Sequence, residues 1–142
     1  QRGGAQAILN GSDPAIGGRY IATVKPDLIQ LFSRDNLAQV TQVPAPGADA
    51  VAVSDSWLVY RASLSGGGDG LFARNIVDPS APSPVSALSA VGAPKQLSQP
   101  SLDGDVLVFG MASPRGSRIV QQQRRFGANS LDKHAPPAAS IR

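Results

Sequence analysis

Three stretches of this chain align with one another without gaps, and that repetition constrains the fold more than any other feature. They are residues 13–23, 50–60 and 99–109, reading Asp-Pro-Ala-Ile-Gly-Gly-Arg-Tyr-Ile-Ala-Thr, Ala-Val-Ala-Val-Ser-Asp-Ser-Trp-Leu-Val-Tyr and Gln-Pro-Ser-Leu-Asp-Gly-Asp-Val-Leu-Val-Phe. Each reads as a short strand ending in an apolar residue (Ile16, Val53, Leu102), then a two-residue turn, then an apolar strand. The expected turn pairs are Gly17-Gly18, Ser54-Asp55 and Asp103-Gly104; Gly-Gly and Asp-Gly tolerate the positive φ of a tight hairpin. The strands that follow, 20–23, 57–60 and 106–109, are apolar at successive positions, as strands covered on both faces are.

A third strand is expected downstream of each hairpin, at 28–32, 71–74 and 118–122, and a fourth in two units, at 38–43 and 84–88. The segment 26–44 also carries Leu28, Leu31, Phe32, Leu37 and Val40 at near-helical spacing, so a helix capped by Asp27 competes there. The β-prone flank 39–43 favours a hairpin turning at Arg34, Asp35 and Asn36. The units begin at residues 13, 50 and 99, intervals of 37 and 49 that average 43. A four-stranded unit of about 40 to 45 residues has the spacing of a β-propeller blade. The longer interval holds two insertions, 63–70 and 78–84, which fall between strands. The expected fold is therefore all-β, a propeller-type repeat of four-stranded antiparallel blades, about three in this chain. The blades run about 11–46, 47–95 and 96–125, followed by an Ala- and Pro-rich tail at 126–142.

Composition agrees. Gly (15) and Pro (12) punctuate the 142 residues, all ten acids are Asp, and three Lys accompany ten Arg. Exposed helix faces draw on Glu and Lys, so this usage speaks against a helical protein. Absent Cys excludes disulfides, thiolate zinc sites and a Cys nucleophile. No apolar run of 18 residues exists to form a spanning helix. The net charge of +3 is small and rests on an Arg-for-Lys, Ala-rich bias of the kind high-GC coding produces, so it points to no nucleic acid. The chain opens at Gln1 without an initiator Met, which reads as a trimmed or excised piece.

The third unit, residues 99–109 followed by Ser117, Arg118, Ile119 and Val120, resembles a TolB-type propeller repeat, in which Pro-Ser leads through an Asp-Gly turn into an apolar strand. The likeness spans roughly 6–125 and is sharp only in that unit. The repeats are also similar to the propeller that gates prolyl-oligopeptidase-type peptidases. The resemblance implies a non-catalytic scaffold for protein partners, often in the bacterial envelope, hence periplasmic or extracellular. Closed propellers need at least about four blades. Three leave two open edges, and residues 6–10 read as a strand that completes the third blade of a second copy or of a longer chain's ring. The alternative function is part of a peptidase's gating propeller.

No residue is assigned as catalytic, cofactor-binding or metal-binding. Asp103, Gly104 and Asp105 lack the further oxygen donors a calcium loop needs, and read as a turn. The run 66–70 lacks the Gly-Lys-Ser/Thr of a phosphate loop and reads as an inter-strand loop. His134, the single His, lies with Asp132 in the tail, and no Gly-x-Ser-x-Gly elbow accompanies it. Arg115, Arg118, Arg124 and Arg125, with Gln121, Gln122 and Gln123, form a basic stretch without interleaved aromatics, read as a charged edge strand rather than a nucleic-acid surface. Trp57, Tyr60 and Tyr20 are read as core. The insertion 63–70 is the expected contact surface for a partner.

Overall fold

The computed structural model describes residues 11–79 and 84–123, and every regular element among them is a strand. Three antiparallel sheets follow one another along the chain. The first is β1 (Ser12–Gly17), β2 (Tyr20–Lys25), β3 (Leu28–Ser33) and β4 (Gln39–Pro44), in that spatial order. The second repeats the order with β5 (Ala48–Val53), β6 (Trp57–Ser63), β7 (Asp69–Asn75) and β8 (Val85–Val91). The third holds β9 (Gln96–Leu97), β10 (Ser101–Asp103), β11 (Val106–Ser113) and β12 (Gly116–Gln123). These are blade-like repeats, and the fold is all-β and propeller-like. The competing helix over 26–44 does not form: β3 and β4 pair there, turning at residues 34–36, with Ser33 N–H donating to the Ala38 carbonyl at 2.8 Å. Residues 6–10, 124–125 and the tail 126–142 lie outside the described residues.

The hairpin turns are two residues long but sit one residue later than expected. Pairing of Gly17 with Tyr20, and of Asp103 with Val106, makes Gly18-Arg19 and Gly104-Asp105 the turn residues. Gly18 (φ 56°) and Gly104 (φ 59°) take the left-handed conformation at the first central position, the arrangement of a type II′ turn. The middle hairpin turns at Asp55-Ser56 by other means: the Ser54 hydroxyl accepts from the backbone N–H of Ser56 and Trp57, at 3.3 and 3.1 Å.

The third sheet counts four strands but is laterally three wide. β12 occupies one edge of β11 along its whole length, while β9 and β10 both pair on the other edge, Leu97 opposite Met111 and Leu102 opposite Leu107. They are two pieces of one inner strand, interrupted at residues 98–100. No strand among the described residues pairs on the far edge of β12.

Alternation along the strands builds two cores between the blades. In β2, Tyr20, Ala22 and Val24 face blade 2; in β6, Leu58, Tyr60 and Ala62 face back, and with Ile29, Leu31, Val51 and Val53 they form the first cluster. The other face of β6, Trp57 and Val59, joins Leu71, Ala73, Leu107, Phe109 and Val120 in the second. Blade 2 is thus covered on both sides, which explains why its middle strand is apolar at successive positions. Removing buried apolar area from water at about 25 cal/mol per Å² is the main favourable term in such a stack.

Polar joints hold the blades in register. At one end, the Asp55 carboxylate accepts from Arg19 N–H at 2.8 Å and pairs with its guanidinium at 3.4 Å, tying turn to turn. At the other, blade 2 grips the short strand β9: Asp69 accepts from Leu97 N–H at 2.9 Å, and Arg61, itself paired with Asp49, donates to the Leu97 carbonyl at 2.9 Å. Leu97 is buried, so removing a partner strands a backbone group away from water. Asp69→Ala is expected to lower stability by about 1–3 kcal/mol in denaturant melts, and Asp69→Asn, which keeps an acceptor oxygen, by less.

Candidate functional site

The structure separates the sequence's candidates into core, turn and surface. Trp57 and Tyr20 are buried between blades, as expected. Asp103 ends β10, and Gly104 and Asp105 form the turn. Among the described residues no three acidic or His side chains gather where they could hold a metal ion. His134, Asp132, Arg124 and Arg125 lie outside the described residues. Arg115 and Arg118 flank the β11–β12 turn and, with Lys95, line a depression of about 340 Å³. Arg118 lies along the blade, its Nη2 4.0 Å from Met111 Sδ. Of the insertion, Ser63, Asp69 and Gly70 belong to strands, leaving 64–68 as the loop, closed by hydrogen bonds between Leu64 and Gly67 and between Leu64 and Gly68.

Two features are left as surfaces. The first is the pair of outer faces. Repeat positions that point forward in blades 1 and 2, Tyr20 and Ala22, then Trp57 and Val59, are filled in blade 3 by Val106 and Val108, and no further sheet follows among the described residues. Ile119 shares that face and is 56% exposed. Positions that point backward, Leu58 and Tyr60, then Leu107 and Phe109, correspond in blade 1 to Ile21 and Thr23; Thr23 is buried, and the exposed apolar residue of that face is Ile16, beside Ile21 and 66% exposed. Among the described residues one kind of interface is made twice, and the outer faces of blades 1 and 3 each expose a large apolar residue, Ile16 and Ile119.

The second is a groove of about 590 Å³ on blade 2, between the linker at Pro46 and Gly47 and the 64–68 loop. Its floor is Tyr60 and Phe72, whose rings stack with centroids 5.3 Å apart. Pro46, Leu64 and Ser65 line one end and Val85 the other. Tyr60 is 4% exposed, and burial pushes its hydroxyl pKa above the ordinary value, keeping it a proton donor. No described residue hydrogen-bonds that hydroxyl. The sequence marks Tyr60 only as core; nothing in the repeat signals the groove beside it, because its lining draws on the linker at Pro46 and Gly47 and on the loop residues Leu64 and Ser65.

No protein-family model matches the chain, and no curated protein matches it significantly. No helix among the described residues is long and apolar enough to cross a membrane.

Proposed function

We propose that this chain is a non-catalytic propeller scaffold that works by protein association, its terminal blades completed by a second copy or by the remaining blades of a longer chain. The observation that carries the reading is the pair of exposed apolar residues on the outer faces of blades 1 and 3, Ile16 and Ile119. Apolar faces of sheets, and the bare edge of β12, favour pairing with another chain. The strand read in residues 6–10 is the proposed partner for that edge. The TolB-type likeness of 99–109 supports the same reading and suggests a bacterial envelope setting, periplasmic or extracellular. Loop 64–68 is the proposed rim for further partners.

Light scattering on the purified chain tests this. A particle heavier than the 14.6 kDa chain is expected, and Ile119→Asp or Ile16→Asp, both at exposed strand positions, should return it to monomer mass with the fold intact. A well-folded monomer at every concentration would sink the self-association. The second reading, a gating propeller, rests on the repeat resemblance alone; a hydrolase domain with a Gly-x-Ser-x-Gly elbow in the same reading frame would establish it.

A further inference from the structure

We propose that the depression at the β11–β12 turn binds an acidic, extended segment of a protein partner, its carboxylates set against Lys95, Arg115 and Arg118. This rests on the partner-binding half of the reading above and names the partner's charge; it does not depend on assembly through the outer faces.

Three observations converge. The depression, about 340 Å³, is lined by these three cations and by no acidic residue. Among the described residues none of the three pairs with a carboxylate, whereas Arg19 and Arg61 each meet an Asp within the fold, Asp55 and Asp49. Like charges lining one hollow repel one another, so an incoming anion gains attraction and relieves that repulsion as well. The second observation is placement. Lys95 stands in the linker 92–95 between β8 and β9, and that linker lies against loop 64–68, where a Cβ added at Gly68 would meet the Gly92 Cα at 2.8 Å. The cations therefore flank the rim proposed for partners. Asp69, the acid at the base of that loop, is occupied by the Leu97 N–H and does not line the depression. The third is spacing. Ser113 pairs with Gly116 and Met111 with Arg118, so Arg118 sits two residues along β12 from the turn that carries Arg115. Its Nη2 lies 4.0 Å from Met111 Sδ, directly across the ladder, which places the guanidinium at that level. Two residues of strand span about 7 Å, the distance between alternate side chains of an extended chain. This spread matches carboxylates at alternate positions better than one compact anion, and each guanidinium can take a carboxylate through its two-pronged fork.

An NMR titration of the isotope-labelled chain with a capped Asp-Ser-Asp-Ser-Asp peptide tests the proposal, alongside Asn-Ser-Asn-Ser-Asn, Lys-Ser-Lys-Ser-Lys, inorganic phosphate and a thymidine pentanucleotide. The acidic peptide should saturably shift the amides of Lys95 and of residues 112–118 except the Pro, and the other two peptides should give no saturable shift. Arg115→Gln or Arg118→Gln should raise Kd about two- to fivefold each, the size of one exposed ion pair, and both together with Lys95→Gln at least about tenfold. The thermal midpoint should not move, because all three side chains are exposed. Raising the salt from about 0.02 M to about 0.5 M should weaken binding at least about fivefold. Ile16→Asp, on the outer face of blade 1, should leave peptide affinity untouched even where it abolishes self-association, and the triple Gln variant should keep the particle mass, which separates failure of the depression from failure of the assembly. The proposal is overturned by no saturable shift with the acidic peptide, by equal affinity for the Asn peptide, by tighter binding of phosphate or the oligonucleotide, or by equal affinity in wild type and the triple variant.

Discussion

A methyl group added at Gly17 is expected to unseat blade 1 from blade 2. A Cβ built at this position would lie inside the van der Waals radius of the Val53 carbonyl oxygen, an atom of the neighbouring blade's inner strand, and would crowd the Val53 carbonyl carbon at 2.7 Å. Both are backbone, locked into the β5–β6 ladder, so neither can swing aside as a side chain would. Gly17 itself has no positive φ, which removes backbone strain from the argument and leaves the close approach alone. Overpacking a core ordinarily costs about 1–3 kcal/mol, and a clash between two inner strands belongs at or beyond the top of that range. Gly17→Ala should therefore lose at least about 3 kcal/mol in denaturant melts, a fall in thermal midpoint on the order of 10 °C. Gly66→Ala is the internal control: nothing lies within 4 Å of its added Cβ and its φ is not positive. It should be neutral or gain up to about 1 kcal/mol by restricting the unfolded chain. Equal losses at the two positions would mean that the inner strands of blades 1 and 2 do not meet as described.

That close contact marks the boundary of what the residues disclosed. The succession of apolar positions in 20–23 and 57–60 pointed to strands covered on both faces, and among the described residues β6 of blade 2 is covered on both faces. Aligning the three units also placed Tyr20 and Trp57 in equivalent core positions. The turns slipped by one residue for a local reason. Asp103, Gly104 and Asp105 support two frames, Gly as the second central residue of a type I′ turn or as the first of a type II′ turn, and only the backbone chooses between them. β9 was not legible at all: two residues carry no period, and their strand geometry is imposed by Arg61 and Asp69 reaching across from another blade. The Tyr60 groove was hidden because linker and loop residues, Pro46, Gly47, Leu64 and Ser65, complete it, and these carry no strand period.

Trp57→Ala is expected to release blade 3 while blade 1 stays in place. Trp57 is 1% exposed and is the largest side chain of the cluster between blades 2 and 3, packed with Val59, Leu71, Leu107, Phe109 and Val120. Truncating a buried Trp costs about 3–5 kcal/mol through lost transfer energy and the cavity left behind. The loss is not shared evenly, because the two interfaces are built from opposite faces of β6: Leu58, Tyr60 and Ala62 still hold β2 and β3 after the indole is gone. Blade 3 has no second cluster among the described residues, and its inner strand is already split into β9 and β10. Hydrogen exchange should therefore show backbone amides of β11 and β12 losing protection, with β2 and β3 retaining most of theirs, as expected when cooperative units differ in local stability. Leu58→Ala, on the opposite face, should invert the pattern at a loss of about 2–5 kcal/mol, exposing blade 1 first. If instead both substitutions lower protection uniformly across all three sheets, the blades unfold as one unit. The stack would then owe its cohesion to contacts along the inner strands rather than to two separable cores.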